Sequence, residues 1–175
     1  MRDVTVMDMK TLSAYTDGSL VLHQPSLWKR EYHLRAGEEV ICTMKQKGSF
    51  GSTVVIEGFG GAWVVSRPHW WRSDLNITRA DQHLPFATFA CSRWGSGGLF
   101  SLPNGERIQL VQSIWKSVNE LHSAQKVRLV SLKRPAWWKR SLHVVIDQSS
   151  DVLDRHPWIV MVTYHLILMR QRQAS

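Results

Sequence analysis

The stretch SSDVLDRHPWIVMVTYHLILMRQRQ, residues 149–173, predicts a helix that is apolar on nearly every side, and its surroundings decide the fold. Ser and Asp at its start suit an N-cap, and Arg170 and Arg172 at its end complement the negative pole of a helix dipole. One helix is expected, regular from about Asp154 or Pro157 to Arg170, with the proline in the first turn and a looser start before it. Trp158, Ile159, Val160, Met161, Val162, Tyr164, Leu166, Ile167, Leu168 and Met169 leave no polar stripe, so other atoms have to enclose them. Lipid is a poor enclosure. Thirteen residues separate the ends of the run from Pro157 to Met169, and at about 1.5 Å each they fall well short of a hydrocarbon core of roughly 30 Å. His165 inside the run and Asp151, Asp154 and Arg155 before it weigh further against a membrane span.

Strands are what the rest of the chain offers as the enclosure. From Ser19 to Asp147, short alternating segments are cut by turn signals about every ten residues, the pattern of a β-meander. The first six are SLVLHQ (19–24), REYHLR (30–35), EEVICTMK (38–45), STVVIE (52–57), AWVVSR (62–67) and RSDLNIT (72–78). The second six are FATFACS (86–92), GLFSL (98–102), ERIQLV (106–111), SIWKSV (113–118), QKVRLVSL (125–132) and SLHVVID (141–147). Asn104 and Gly105 in PNGE supply the positive φ values of a type I′ hairpin. KGSFG (47–51), GFGG (58–61) and GSGG (95–98) read as strand reversals, since no amphipathic helix follows any of them to make a phosphate cradle. A sheet of about twelve strands that closes on itself leaves no bare edge, and a bore of that size needs a filling. The expectation is a mainly β single domain over residues 1–175: an N-terminal extension (1–18), an antiparallel barrel (19–147) and the hydrophobic C-terminal helix (151–172) filling it.

Composition agrees with one compact domain, because 43% of the 175 residues are apolar and only 21% are charged. A net charge of +8 favours phosphate-rich partners, nucleic acid or anionic lipid, while also serving solubility. Cys42 and Cys91 form no C-x-x-C pair and sit in apolar alternating stretches as small buried hydrophobes, and MRDVTVMDMK lacks an apolar export segment, so a reduced cytoplasmic setting is expected. No H-E-x-x-H, zinc-spaced Cys/His cluster, G-x-S-x-G, Walker pattern or acid pair is present, which argues against catalysis and against a metal or cofactor. Asp81 and His83 in DQHLP read as a polar loop, and His165 as a buried histidine with one hydrogen bond. His33 and His143 fall at equivalent outward positions, but Asn76 stands at the third, which weakens a metal reading.

The segments PSLWKR (25–30), PHWWRS (68–73), SIWKS (113–117) and PAWWKR (135–140) repeat one theme, tryptophan beside a cation. The order of parts, W-[KR] openings in SLWKREYHL, WWRSDLNI and WWKRSLHVV followed by PWIVMVTYHLILMRQR, resembles the tubby C-terminal-like superfamily of the scramblase and LURP-one-related type, nearest to its small bacterial members. The resemblance covers about residues 19–172. It implies a closed twelve-stranded barrel around a central helix and suggests association with lipid surfaces; it assigns no catalytic or phosphoinositide-binding residue.

Even numbers of predicted strands separate the four segments, so an up-and-down meander returns all of them to one rim, where the tail with Arg170 and Arg172 also emerges. Strand parity extended into these segments points Trp28, Trp71 and Trp138 inward as closures of the mouth. The same parity turns Lys29, Arg72, Lys139, Trp70 and Trp137 outward and leaves Arg30 and Arg140 to snorkel from inward positions. With Lys116, Arg170 and Arg172 these residues form the candidate anion-binding rim. Its expected partner is an anionic membrane surface at the inner face of the membrane, without enzymatic chemistry. Single-stranded nucleic acid, stacked on the tryptophans, is the alternative, and a structural or oligomerising module that covers Trp70 and Trp137 with a partner chain is the third.

Overall fold

A computed structural model of the chain describes residues 10–26, 28–48, 53–69, 71–93, 97–113, 117–134 and 141–173. A 3-10 turn (Leu12–Tyr15) precedes twelve strands: β1 (Leu20–His23), β2 (Glu31–Ala36), β3 (Glu39–Lys47), β4 (Thr53–Gly58), β5 (Gly61–Ser66) and β6 (Leu75–Arg79). They continue as β7 (Ala87–Cys91), β8 (Gly97–Ser101), β9 (Arg107–Ser113), β10 (Val118–Ser123), β11 (Arg128–Lys133) and β12 (Leu142–Ile146). Each strand pairs with its successor, and β1 pairs antiparallel with β12, so the sheet is a closed up-and-down barrel.

Period-two alternation sets the two faces. Leu20 lies opposite Val144 and Ala36, and Leu22 opposite Leu142 and Leu34, so one face of β1 meets apolar neighbours on both flanks. Val54 and Ile56, Leu75 and Ile77, Ala87 and Phe89, and Ile108 and Leu110 continue that buried face around the barrel. At roughly 1.5–3 kcal/mol for each fully buried large apolar side chain, this ring is the main source of stability.

The C-terminal helix fills the bore. After α1 (Asp151–Arg155) comes α2 (Trp158–Gln173), in which every side chain from Trp158 to Ile167 is buried whichever way it points. Tyr164 meets Tyr32 of β2 edge to face at 5.5 Å, Trp158 meets Phe100 of β8 at 6.3 Å, and His165 Nδ1 accepts from Gln46 Nε2 of β3 at 3.5 Å. Thr163, the other polar group at depth, donates its hydroxyl to Ile159 O at 2.8 Å.

Four local expectations change. The terminal segment is two helices rather than one, because His156, ahead of the proline, takes φ −128° and ψ 53° and breaks the ladder. Ser150 occupies the N-cap position of α1 without a side-chain capping bond. The tenth strand is Val118–Ser123, not 113–118: β9 runs on to Ser113, and residues 114–116 lie outside the described residues. β8 begins at Gly97, one residue before the expected strand 98–102, and a Cβ on Gly98 there would collide with the Phe89 ring and with Ala90 O. The PNGE corner is as expected, with φ of 63° at Asn104 and 76° at Gly105.

One end of the barrel is sealed. Leu12, from the N-terminal extension, is fully buried, Ser13 N donates to Asp154 Oδ1 at 2.8 Å, and Ser150 N donates to Ser13 Oγ at 3.1 Å. Arg155 Nη2 bonds Glu106 Oε1 at 2.6 Å, and His156 packs between the rings of Phe86 and Trp158.

Candidate functional site

The opposite end, where α2 emerges, carries the tryptophan-cation segments. The described parts of the β1–β2, β5–β6, β7–β8, β9–β10 and β11–β12 connections all lie here, because successive strands alternate direction. Lys29 and Arg30 are exposed beside Trp28, and Arg72 is exposed beside Trp71. Arg170 is half-buried and Arg172 exposed at the end of α2. Trp70, Lys116, Trp137, Trp138, Lys139 and Arg140 lie outside the described residues.

Trp28 and Trp71 do not close the mouth. Trp28 is 96% exposed and Trp71 64% exposed. The parity argument fails because β2 starts at Glu31 and β6 at Leu75, so both tryptophans precede the paired backbone to which alternation applies. Their loops are nevertheless held. Gln24 Nε2 donates to Lys29 O at 2.9 Å across the base of the Trp28 loop, and Arg67 Nε donates to Arg72 O across the base of the Trp71 loop. Arg72 Nε pairs with Asp74 Oδ2 at 2.8 Å, Asp74 Oδ1 accepts from Cys91 N at 2.8 Å, and Trp71 stacks on His69 at 4.9 Å.

Part of the mouth is lined by polar side chains that belong to none of the tryptophan-cation segments. On β3 and β9 the inward-facing series is apolar through the barrel and turns polar at this end, and on β10 Asn119 follows Leu121 there. Met44 gives way to Gln46 and Leu110 to Gln112, and Arg134, one residue past the end of β11, lines the same mouth. Gln112 and Asn119 face each other directly across β9 and β10, and Asn119 also lies opposite Leu132. A period-two reading carried to the strand ends, with attention to where it turns polar, is the signal that finds them. They line a cavity of about 310 Å³ together with Ser113, Ser117, Arg134, Leu142, Ile167, Arg170 and Gln171.

The cations at this end reach the interior electrostatically. Burial pushes His165 down to about 4, and the charges of Arg172 and Arg67 press the same way. Burial and Tyr32 push Tyr164 up to about 12, while the Arg134 guanidinium opposes them. Arg172 Nη2 donates to Gln46 Oε1 at 3.0 Å and to Tyr32 OH at 3.3 Å, which orients the Gln46 amide so that its nitrogen faces His165. Arg170 Nη2 donates to Gly97 O at 3.4 Å and approaches Cys91 Sγ at 3.7 Å.

Charge is divided between the two ends. Among the described residues, the carboxylates at the mouth are Asp74, bonded to Arg72, and Glu31, whose pKa is lowered chiefly by its hydrogen bond to His33. Glu38, Glu39, Asp81, Glu106, Asp147, Asp151 and Asp154 gather at the sealed end, some of them paired with cations there. The barrel therefore presents one strongly basic, tryptophan-bearing end.

Neither a family model, a curated protein nor a solved structure matches this chain. Among the described residues no three His, Cys, Asp or Glu side chains come together as a metal site, and no helix is long and apolar enough to cross a membrane. Cys42 is buried and its thiol is pushed up to about 12, which suits a packing role. Asp81 and His83 lie in an exposed loop. What the mouth can do chemically is hold negative charge, with guanidinium, ammonium and amide donors at the end that also carries the exposed Trp28 and Trp71.

Proposed function

We propose that this protein is a non-enzymatic barrel of the tubby-like type that binds an anionic membrane surface through its tryptophan-cation rim. The carrying observation is Trp28, almost wholly exposed next to Lys29 and Arg30, on the same rim as Trp71 and Arg72. Indole rings partition to the level of lipid headgroups, and each Lys or Arg near an anionic bilayer contributes about 1 kcal/mol of attraction. Gln24 and Arg67 tie Lys29 and Arg72, the cations next to these rings, to the neighbouring strand ends. The cytoplasmic leaflet is the fitting location, being rich in anionic lipid and in contact with a reducing compartment where Cys42 and Cys91 stay free thiols.

Co-sedimentation of the full chain with neutral and with anionic vesicles, at low and at moderate salt, tests this. Binding is expected only to anionic vesicles and should weaken as salt rises. Replacing Lys29, Arg72 and Lys139 by alanine together should weaken it about a hundredfold, at about 1 kcal/mol per cation. Equal sedimentation of that variant and the parent chain would refute the assignment of the rim. The exposed face of Trp28 beside two cations also favours a second reading, stacking of single-stranded nucleic acid. A salt-dependent anisotropy rise with a single-stranded oligonucleotide, without vesicle binding, would establish that reading instead.

A further inference from the structure

The cavity inside the rim has a chemistry of its own. Arg134 follows directly on the end of β11 and Arg170 comes from the last turns of α2, so two half-buried guanidiniums from different parts of the chain line one space. Among the described residues neither has a carboxylate partner; Arg170 is bonded only to Gly97 O and Cys91 Sγ. The end of α2 supplies a compensating partial charge of only about −0.5, against one full positive charge on each guanidinium. Gln112, Asn119 and Ser113 add amide and hydroxyl donors as further lining residues of the same cavity.

Buried or half-buried cations are ordinarily paired, because removing them from water is otherwise expensive. Two half-buried guanidiniums with no carboxylate partner among the described residues, set amid neutral donors, suit an anion. A planar carboxylate offers two acceptor oxygens and one charge. A phosphate monoester offers three terminal oxygens and up to two charges, which matches two arginine forks with surrounding amide and hydroxyl donors. With about 310 Å³ of space and an open mouth, the cavity accommodates a headgroup-sized ligand and not an acyl chain.

We propose that the cavity between β9–β12 and the end of α2 is a binding site for a phosphate monoester, held by Arg134 and Arg170 with Gln112, Ser113 and Asn119. This deepens the anionic-surface reading and rests on it for the lipid source of the phosphate; a soluble phosphate monoester has the same recognition chemistry.

The test is isothermal titration of the full chain with inorganic phosphate and with glycerol 3-phosphate, alongside sedimentation with phosphatidylcholine vesicles with and without phosphatidic acid. Glycerol 3-phosphate should bind the parent chain, and Arg134→Gln and Arg170→Gln should each weaken it about tenfold, the usual loss for a charge-assisted hydrogen bond. Arg134→Lys should recover only part of the loss, since it restores charge without the fork. A Lys29→Ala/Arg72→Ala rim variant should bind glycerol 3-phosphate like the parent. Circular dichroism melts confirm folding, and Asn119→Ser, which leaves both arginines in place, should weaken binding by a smaller factor. Titration heat without sedimentation on either vesicle would uphold the site with a soluble ligand and overturn the membrane rim. Sedimentation with phosphatidic acid that is indifferent to Arg134→Gln and Arg170→Gln, with no titration heat, would overturn the site and leave the rim.

Discussion

Replacing His165 by leucine should remove most of the acid sensitivity of the fold between pH 6.5 and 4. His165 is 3% exposed in the middle of the bore, with Gln46 as its hydrogen-bond partner and the charges of Arg172 and Arg67 nearby, and its pKa is pushed from 6.5 down to about 4. Above pH 6.5 it is neutral in both the folded and the unfolded chain and contributes no pH dependence. Between 6.5 and 4 the unfolded chain takes up a proton that the folded chain refuses, so stability falls as pH falls; below about 4 both forms are protonated and the effect stops growing. A shift of that size corresponds to about 3 kcal/mol, a large part of a typical domain's stability. Urea unfolding at a series of pH values would show the parent chain losing about that much between neutral pH and pH 4.5, with the leucine variant much flatter. His156 and His23, also lowered mainly by burial, would leave some slope of the same sign in both. Parallel curves for parent and variant would refute the assignment of the acid sensitivity to His165.

Three further expectations concern packing and the rim. Gly98→Ala should destabilise the fold by about 1–3 kcal/mol in thermal or urea unfolding, because its methyl group meets the Phe89 ring and Ala90 O in a closed strand pair. Asp154→Ala should cost about 1–2 kcal/mol and free the N-terminal turn for proteolysis, since Asp154 Oδ1 accepts the Ser13 amide that holds Leu12 in the core. Trp28→Ala should leave unfolding within about 0.5 kcal/mol of the parent, as a change at an exposed loop position, while weakening sedimentation with anionic vesicles.

The architecture was legible because two periodicities were unambiguous. Alternating pairs such as Leu20/Leu22 and Leu75/Ile77 place a buried face on strands, and the unstriped run from Trp158 to Ile167 demands enclosure on all sides, which only a closed sheet provides. Strand ten was misplaced for a physical reason: Val118–Ser123 has one deeply buried residue, Leu121, and spends its next inward position on Asn119 at the cavity. Trp28 and Trp71 were misdirected because strand parity was carried across residues whose backbone is not paired. Even counting of strands did bring their loops, with Arg170 and Arg172, to one end. Arg134, Gln112 and Asn119 are far apart in sequence and belong to no motif, and only the closed barrel brings them to one cavity.

The most direct test of the rim is quenching of tryptophan fluorescence by brominated phospholipid in anionic vesicles, comparing the parent chain with Trp28→Phe/Trp71→Phe. The account predicts quenching of the parent that is reduced in the double variant, because these two rings enter the headgroup region while Trp158 stays buried in the bore. Sedimentation of the parent with these vesicles and no quenching of its fluorescence would contradict it, placing the bound surface elsewhere on the barrel.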